Sequence, residues 1–376
     1  MRRGVSVICS RVLALGGVAL GVAWAVTPAY ATARNAIPGS RFLSARAAGM
    51  ADAFLPLADD GATALFYNPA SISSLKGMGI ELMNLSLETN NDYVMGFSPT
   101  AFYKVTSLSS YAPTLSGGEY PGVGYSILPN FYARGFAFGI LMQSRVAAKN
   151  ENSQISYRSS TRFIPSIGTG IRLANGIFRV GYSLQLVNQA EGEISNLPST
   201  TSPLGYNQQL NSGSGIAHQL GVNIALPVAW LPTFSVVARN VGGTKYSSSM
   251  LVPLGKNSTG VPATDPMSVD LALGLQPRVG KGQTISYVFQ LKDSTNASGF
   301  SLMSRLSLGA EFALREAFSF RVGYGLGTLL DGLNAGFGFR GKKGDFHLAW
   351  YREELGTPSA PDRERRWLMQ YQVRAF

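Results

Sequence analysis

The sequence predicts an all-β fold: a 14-stranded antiparallel transmembrane β-barrel with an N-terminal hatch, or plug, segment inside its lumen. Three observations predict it. Hydrophobic residues make up 45% of the 376 residues and charged residues only 14%, whereas a soluble domain carries about 25% charged residues. Beyond residue 31 no stretch approaches the ~20 consecutive apolar residues of a spanning helix, yet mean hydropathy is +0.08 despite 43 glycines. From residue 77 onward, apolar residues alternate with Gly, Ser, Gln and single Arg, as in strands with one face in lipid. An aromatic content of 11% excludes disorder.

Residues 1–31 read as a signal peptide. Arg2 and Arg3 give a positive start, Val12 to Val26 is apolar, and Ala29-Tyr30-Ala31 is a small-x-small cleavage site. The mature chain would then begin near Thr32; an uncleaved anchor helix is the alternative. Cys9 is the one cysteine, and Ile8 before it is too large for a lipoprotein signal. The mature chain therefore lacks cysteine, which suits export without disulfides. The pI near 9.8 raises nucleic acid as a partner. The basic residues are scattered singly along alternating segments of an exported chain, so none is expected.

Residues 32–76 do not alternate. They are rich in small residues, among them Ala45, Ala47, Ala48, Gly49, Ala51, Ala53, Gly61, Ala62 and Ala64. Small side chains permit the close packing that a segment inside a barrel needs; an extension outside the barrel is the alternative. Asn68-Pro69-Ala70 reads as a turn that ends a hatch element near the wall. Asp59 and Asp60 could pair with lumen arginines, or sit in water.

The barrel, 77–376, divides into strands at about 77–88, 117–127, 131–147, 155–173, 177–188, 215–226, 233–241, 268–276, 283–292, 302–314, 318–327, 333–340, 345–352 and 367–376. The alternation is plainest where Phe178, Val180, Tyr182, Leu184 and Leu186 oppose Arg179, Gly181, Ser183 and Gln185. Ala174-Asn175-Gly176 before it is a hairpin signal. In the first strand the phase slips near Leu82-Met83. Connections sort by parity. One class is short (128–130, 174–176, 227–232, 277–282, 315–317, 341–344). The other holds every long one (89–116, 189–214, 242–267, 353–366). Outer-membrane barrels have short periplasmic turns and longer external loops. Trp350 and Trp367 fall at outer strand ends and Trp230 in an inner turn, as interfacial aromatics do. The chain ends in Phe376, one residue out of phase with Trp367, Met369, Tyr371 and Val373.

The inward phase carries Arg145, Arg158, Arg162, Arg172, Arg179, Arg305, Arg321 and Arg340, with few acids such as Asp270 and Glu311. These arginines could attract a carboxylate or phosphate headgroup, or pair internally with hatch acids and carbonyls. His218 and His347 are the only histidines. No metal site, cofactor or catalytic motif is expected. Gly323-x-Gly325-x-Gly327 lies within a strand and reads as close hatch packing, not as a phosphate loop. Met250-Leu251-Val252-Pro253-Leu254 is an apolar run in an external loop, which suggests ligand capture. Phe97, Phe102, Tyr111 and Tyr120 are candidate partners for it.

Two segments carry a family resemblance: Ser44-Ala45-Arg46-Ala47-Ala48-Gly49-Met50, and Leu57 to Ala70, which ends in Phe66-Tyr67-Asn68-Pro69-Ala70. Together they resemble the N-terminal signature of the FadL/TodX-type outer-membrane transporters. They are equally similar to that of the related PorV-like barrels. The resemblance implies a monomeric barrel, placed in the outer membrane by the barrel assembly machinery, with outer-membrane lipid around it. In the transporter branch it implies uptake of hydrophobic compounds such as long-chain fatty acids. These bind external loops, then an internal pocket, and leave sideways through a wall opening that the hatch helps control. In the PorV-like branch it implies a secretion-associated protein partner. This sequence departs from the signature at Ala51-Asp52 and Ser71, where glycine is usual.

Overall fold

The computed structural model describes residues 42–91, 122–151, 154–198, 210–249, 251–252, 254, 258–280, 282–295, 300–314, 317–327, 330–354 and 363–375. Fourteen antiparallel strands form the wall. They are β1 (Gly79–Asn90), β2 (in two pieces, Gly122–Ile127 and Asn130–Ala133), β3 (Phe136–Glu151), β4 (Gln154–Leu173), β5 (Phe178–Pro198), β6 (Leu210–Ala225) and β7 (Thr233–Arg239). Then follow β8 (Ser268–Leu275), β9 (Gln283–Leu291), β10 (Leu306–Leu314), β11 (Phe318–Gly325), β12 (Gly332–Arg340), β13 (Gly344–Glu354) and β14 (Arg363–Arg374). Each pairs with the next, and β14 pairs back with β1, so the sheet closes. Closure leaves no unpaired edge in the hydrocarbon, which a spanning sheet requires. Phe138, Ile171, Phe289, Phe320 and Leu333 are exposed on the outward phase, forming the oily band of a transmembrane barrel.

The strand number agrees with the sequence reading, but several boundaries differ. Segment 128–130 is not a turn. Pro129 has no N–H to give the ladder, so β2 is interrupted there and continues. Leu128 N–H donates to the Asn84 carbonyl at 2.9 Å and Ile140 N–H to the Pro129 carbonyl at 3.1 Å. The chain reverses instead at 134–135, where Gly135 takes φ 80°, open to glycine without penalty. β5 and β6 run to Pro198 and from Leu210, well past the expected limits. Their outer ends are polar, so the oily alternation stops there while backbone pairing continues. β14 begins at Arg363, which adds Glu364 and Arg366 to the lumen.

The parity of the connections survives these changes. The strand ends that flank 134–135, 174–177, 226–232, 276–282, 315–317 and 341–343 lie at one end, and those that flank 91–121, 199–209, 240–267 and 355–362 at the other. Asn175 and Gly176 take φ 56° and 88°, as a tight hairpin needs. The slip at Leu82-Met83 is a bulge between Glu81 and Met83. Trp350 and Trp367 are a direct cross-strand pair with ring centroids 6.3 Å apart. Phe376 lies outside the described residues.

Candidate functional site: hatch and lumen

Among the described residues four short elements precede the barrel: α1 (Ala45–Ala48), a 3-10 turn (Leu55–Leu57), α2 (Gly61–Phe66) and a 3-10 segment (Pro69–Ser74). Each of the two helices and the last segment has a local start signal. Ser44 Oγ accepts from Ala47 N–H at 3.1 Å. Asp60 and Thr63 form a capping box, with Thr63 N–H to Asp60 Oδ1 at 2.7 Å. Asn68 caps the last segment and Pro69 occupies its first position. Helices of four and six residues are far below the ~12–15 residues that sustain an isolated helix. The wall must hold them.

It does so first through glycine. On the inward phase, Gly170, Gly181 and Gly221 lie side by side on β4, β5 and β6. Pro69 and Ala70 occupy the trough they form. A Cβ on Gly221 would sit 2.7 Å from Asn68 Oδ1 and 2.8 Å from the Ala70 nitrogen, and one on Gly170 would sit 2.7 Å from the Ser73 nitrogen. Pro56 lies over Gly274, Met50 over Gly309 and Gly323, and Gly49 over Gly336. Gly323 thus packs on the hatch as read from the sequence. Gly325 does not: it meets the Leu330 carbonyl of the β11–β12 connection.

Inward polar side chains then satisfy the hatch backbone, which buried donors and acceptors require. Gln290 Oε1 accepts from Phe54 N–H at 3.0 Å and Leu55 N–H at 3.3 Å. Gln370 Oε1 accepts from Ala45 N–H at 2.8 Å. Arg239 donates to the Phe66 and Tyr67 carbonyls at 2.8 and 3.0 Å, while its Nε meets buried Asp270 at 3.0 Å. Asn68 Nδ2 donates to Asn223 Oδ1 at 2.8 Å and to the Leu55 carbonyl at 3.0 Å. Lys292 Nζ donates to the Ala51 carbonyl at 2.9 Å and lies 3.4 Å from Asp52. Ala51 and Asp52 take φ 53° and 59°. Two of the three positions where this chain departs from the glycine of the signature are therefore left-handed, a conformation that favours glycine.

The lumen has two sides. Towards β3–β9, inward Leu141, Ile164, Val187, Val237 and Val288 join Phe54, Leu57, Phe66 and Tyr67 of the hatch in one buried apolar cluster. Phe54 and Tyr67 stand edge to face at 5.5 Å. Towards β10–β1 and the neighbouring β3 the lumen is charged. Arg145 lies 2.5 Å from Glu88 and 3.2 Å from Glu353, and Arg366 lies 2.5 Å from Glu88. Arg46 of the hatch bridges Asp59 at 2.5 Å and Glu311 at 2.7 Å, and Arg321 meets the same Glu311 at 2.6 Å. Burial works against the Arg46 charge, but Asp59 and Glu311 outweigh it and raise its pKa. Burial and the nearby Asp59 carboxylate push the Asp60 carboxyl up.

Asp59 and Asp60 therefore do not pair with wall arginines as expected. Asp59 takes Arg46, in its own segment, and Asp60 caps α2. The lumen arginines follow the internal-pairing alternative. Arg162 lies 3.9 Å from Glu191 and Arg340 lies 3.2 Å from Asp345. Arg305 donates to the Ser301 and Asp293 carbonyls, Arg179 to Gly176 and Arg172 to Ser73. The Arg158 side chain lies outside the described residues. Inward acids are more numerous than the sequence reading had them: Glu81, Glu88, Asp331, Asp345 and Glu353 are all buried. The bonds that tie Arg46, Arg239, Lys292 and Arg366 across hatch and wall join residues far apart in sequence and leave no local signal, so their roles were missed.

Phe97, Phe102, Tyr111, Tyr120, Met250 and Pro253 lie outside the described residues. Leu251 is exposed and Leu254 half-buried. The Val252 carbonyl accepts from Asn188 Nδ2 at 2.7 Å, on the phase of β5 that carries Leu184 and Leu186 outward. His218 pairs with Tyr182 OH at 2.7 Å on the outward face. His347 is buried 3.3 Å from Arg321. Among the described residues no cluster has the make-up of a metal site. A cavity of about 20 Å³ beside Ser44, Arg46, Asp60, Asp345 and His347 has room for about one water.

No protein-family model matches the sequence, and neither does any curated protein. Solved structures do. The chain is similar to the toluene transporter TodX of Pseudomonas putida at 12% identity and a TM-score of 0.53, over 90% of this chain and 99% of that one. It is similar to the Ralstonia pickettii toluene transporter TbuX at 14% identity and 0.46, over 88% and 98%. It is similar to a Pseudomonas aeruginosa FadL homologue at 11% identity and 0.43, over 88% and 96%. Of these three, TodX is close enough in shape to bear on the fold. The chain has the barrel fold of the TodX transporter, in agreement with the resemblance carried by residues 44–70.

Proposed function

We propose that this protein is an outer-membrane channel for the uptake of hydrophobic compounds, long-chain fatty acids among them. One observation carries the reading. A water-filled porin has a polar interior, whereas here inward Leu141, Ile164, Val187, Val237 and Val288 meet apolar hatch residues in one buried cluster. Polar solutes gain nothing from such a lining; an acyl chain or aromatic ring gains about 0.8 kcal/mol per buried CH₂. The fold shared with a toluene transporter supports the same class of cargo. In this reading the signal peptide is cleaved, the long loops face outward, and the barrel acts as a monomer.

The exit is the seam between β1 and β2. Its ladder lapses between Glu81↔Asn130 and Leu85↔Ile127, beside the bulge at Leu82. α2 stands behind it, with Gly61 against Asn130 and Tyr132. Movement of that hatch element would open the wall to the membrane. A second reading, a barrel that binds a protein partner during secretion, is favoured by the closeness of hatch packing. Native mass spectrometry of gently extracted protein separates the two. A co-purifying fatty acid or aromatic compound supports uptake. Ligand-free protein that also fails to take up added palmitate moves the assignment to the partner-binding barrel.

A further inference from the structure

We propose that the short-turn end of the lumen holds a binding site for a phosphate group, formed by Arg172 and Arg179. The two face each other directly across the β4–β5 ladder. Both are on the inward phase at the mouth of the lumen, Arg172 exposed and Arg179 half-buried, two residues from Gly170 and Gly181, which touch the hatch. Like charges placed directly opposite destabilise a sheet, so the pair needs a reason.

Elsewhere in this lumen the cost is offset by acids: Arg145, Arg239, Arg321, Arg340 and Arg366 each meet a carboxylate. Arg172 and Arg179 meet none among the described residues. Each commits its Nε to a backbone carbonyl, of Ser73 and Gly176 respectively. Their Nη groups, which form the donor fork of a guanidinium, have no acceptor among the described residues. The next inward side chain on β6 is Asn223, and its amide is already committed to Asn68 and Ser71. Arg134 stands in the adjacent turn, which is tied to β4 by Gly170 N–H to the Gly135 carbonyl at 3.0 Å. Lys76 follows the hatch three residues after Ser73. Neither makes an ion pair among the described residues.

Two adjacent guanidinium forks match an oxyanion that turns acceptor oxygens to both of them. A tetrahedral phosphate does so as a free anion or as a diester; the two oxygens of a planar monocarboxylate serve one fork. Short turns of outer-membrane barrels face the periplasm. The phosphate can then come from the headgroup of an inner-leaflet phospholipid or from a free phosphate compound. The site does not depend on which hydrophobic cargo the channel carries.

The test uses the full-length protein in uncharged detergent and follows its thermal unfolding by heat-modifiability on gels. Inorganic phosphate is compared with chloride at equal ionic strength. Phosphatidylglycerol is compared with diacylglycerol of the same chains. Phosphate in one or both forms should raise the unfolding midpoint of the wild type. The Arg172→Gln/Arg179→Gln variant should start from an equal or higher midpoint, because the repulsion is gone, and should not respond. Arg172→Lys/Arg179→Lys keeps the charge without the forks and should need about tenfold more phosphate for the same shift. A response to phosphatidylglycerol alone identifies the lipid as the source, and a response to inorganic phosphate identifies a free compound. A wild type that responds to neither, or a Gln variant that responds as the wild type does, overturns the proposal.

Discussion

Gly181→Ala should release the hatch from the wall while leaving the barrel intact. Alanine fits the strand conformation of β5, so the ladder to β4 and β6 is preserved. Its Cβ, however, would stand 2.5 Å from the Ala70 nitrogen and closer still to the Pro69 carbonyl. Ordinary contact needs roughly 3.5 Å, so the Asn68–Ala70 backbone must retreat by about an ångström. Both neighbours are backbone atoms, and no flexible side chain can swing away. The retreat also breaks the bonds of Asn68 to Asn223 and to the Leu55 carbonyl. Overpacking costs ~1–3 kcal/mol, and each buried group left unsatisfied costs about 1–3 kcal/mol more. The hatch docking equilibrium should therefore shift by two or more orders of magnitude. Cysteine labelling reads this directly, because Cys9 is the only native cysteine. Ser71, 3% exposed, becomes the reporter as Ser71→Cys. A membrane-impermeant maleimide should label the introduced thiol slowly when Gly181 is kept and rapidly with Gly181→Ala. Leu186→Ala, outward on the same strand, should change nothing. Equal protection of the Ser71→Cys thiol with and without Gly181→Ala would refute the account of the glycine trough.

Three further outcomes follow from the same geometry. Arg239→Gln strips the donors from the Phe66 and Tyr67 carbonyls and takes the guanidinium from buried Asp270, so it should cost about 3–5 kcal/mol, read as a lowered unfolding midpoint; an unchanged midpoint would contradict the role assigned to Arg239. Ala51→Gly relieves a left-handed residue and should stabilise by about 1 kcal/mol, less whatever glycine adds to the unfolded entropy, and a lowered midpoint would contradict it. Ile164→Asn puts an amide into the apolar half of the lumen and should reduce binding of a hydrophobic probe such as palmitate at least tenfold, measured by equilibrium dialysis with barrel folding checked by heat-modifiability.

What was legible in the sequence was whatever the membrane dictates. Lipid admits only apolar side chains on the outward phase, so Phe178, Tyr182, Phe320 and their neighbours announce their strands, and the bulge at Leu82 shows as a slip in phase. The inward glycines were legible as sites of close packing, because nothing else accounts for glycine repeated within strands. Other features were not legible. Pro129 between apolar runs resembles a turn more closely than Arg134-Gly135 does, and only the ladder on both sides shows that the strand continues. Leu141, Ile164 and Val187 sit on the inward phase within oily stretches, so alternation alone assigns them no separate face. The ion pairs of Arg46 with Glu311 and of Arg366 with Glu88 join residues more than 250 positions apart. Residue type announces the charge, but only the closed sheet brings the partners together.

The central claim is that this lumen admits hydrophobic compounds and not polar ones. The direct measurement is uptake by cells that lack their own hydrophobic-compound channels, with and without this protein, using labelled palmitate and toluene beside a sugar of similar size. Expression should raise the initial rate for at least one hydrophobic compound and leave sugar entry at its background. The rise should vanish when Ile164→Asn and Val288→Asn are combined in a barrel that still folds. Entry of the sugar, or hydrophobic uptake that is the same with and without the protein, would contradict the account.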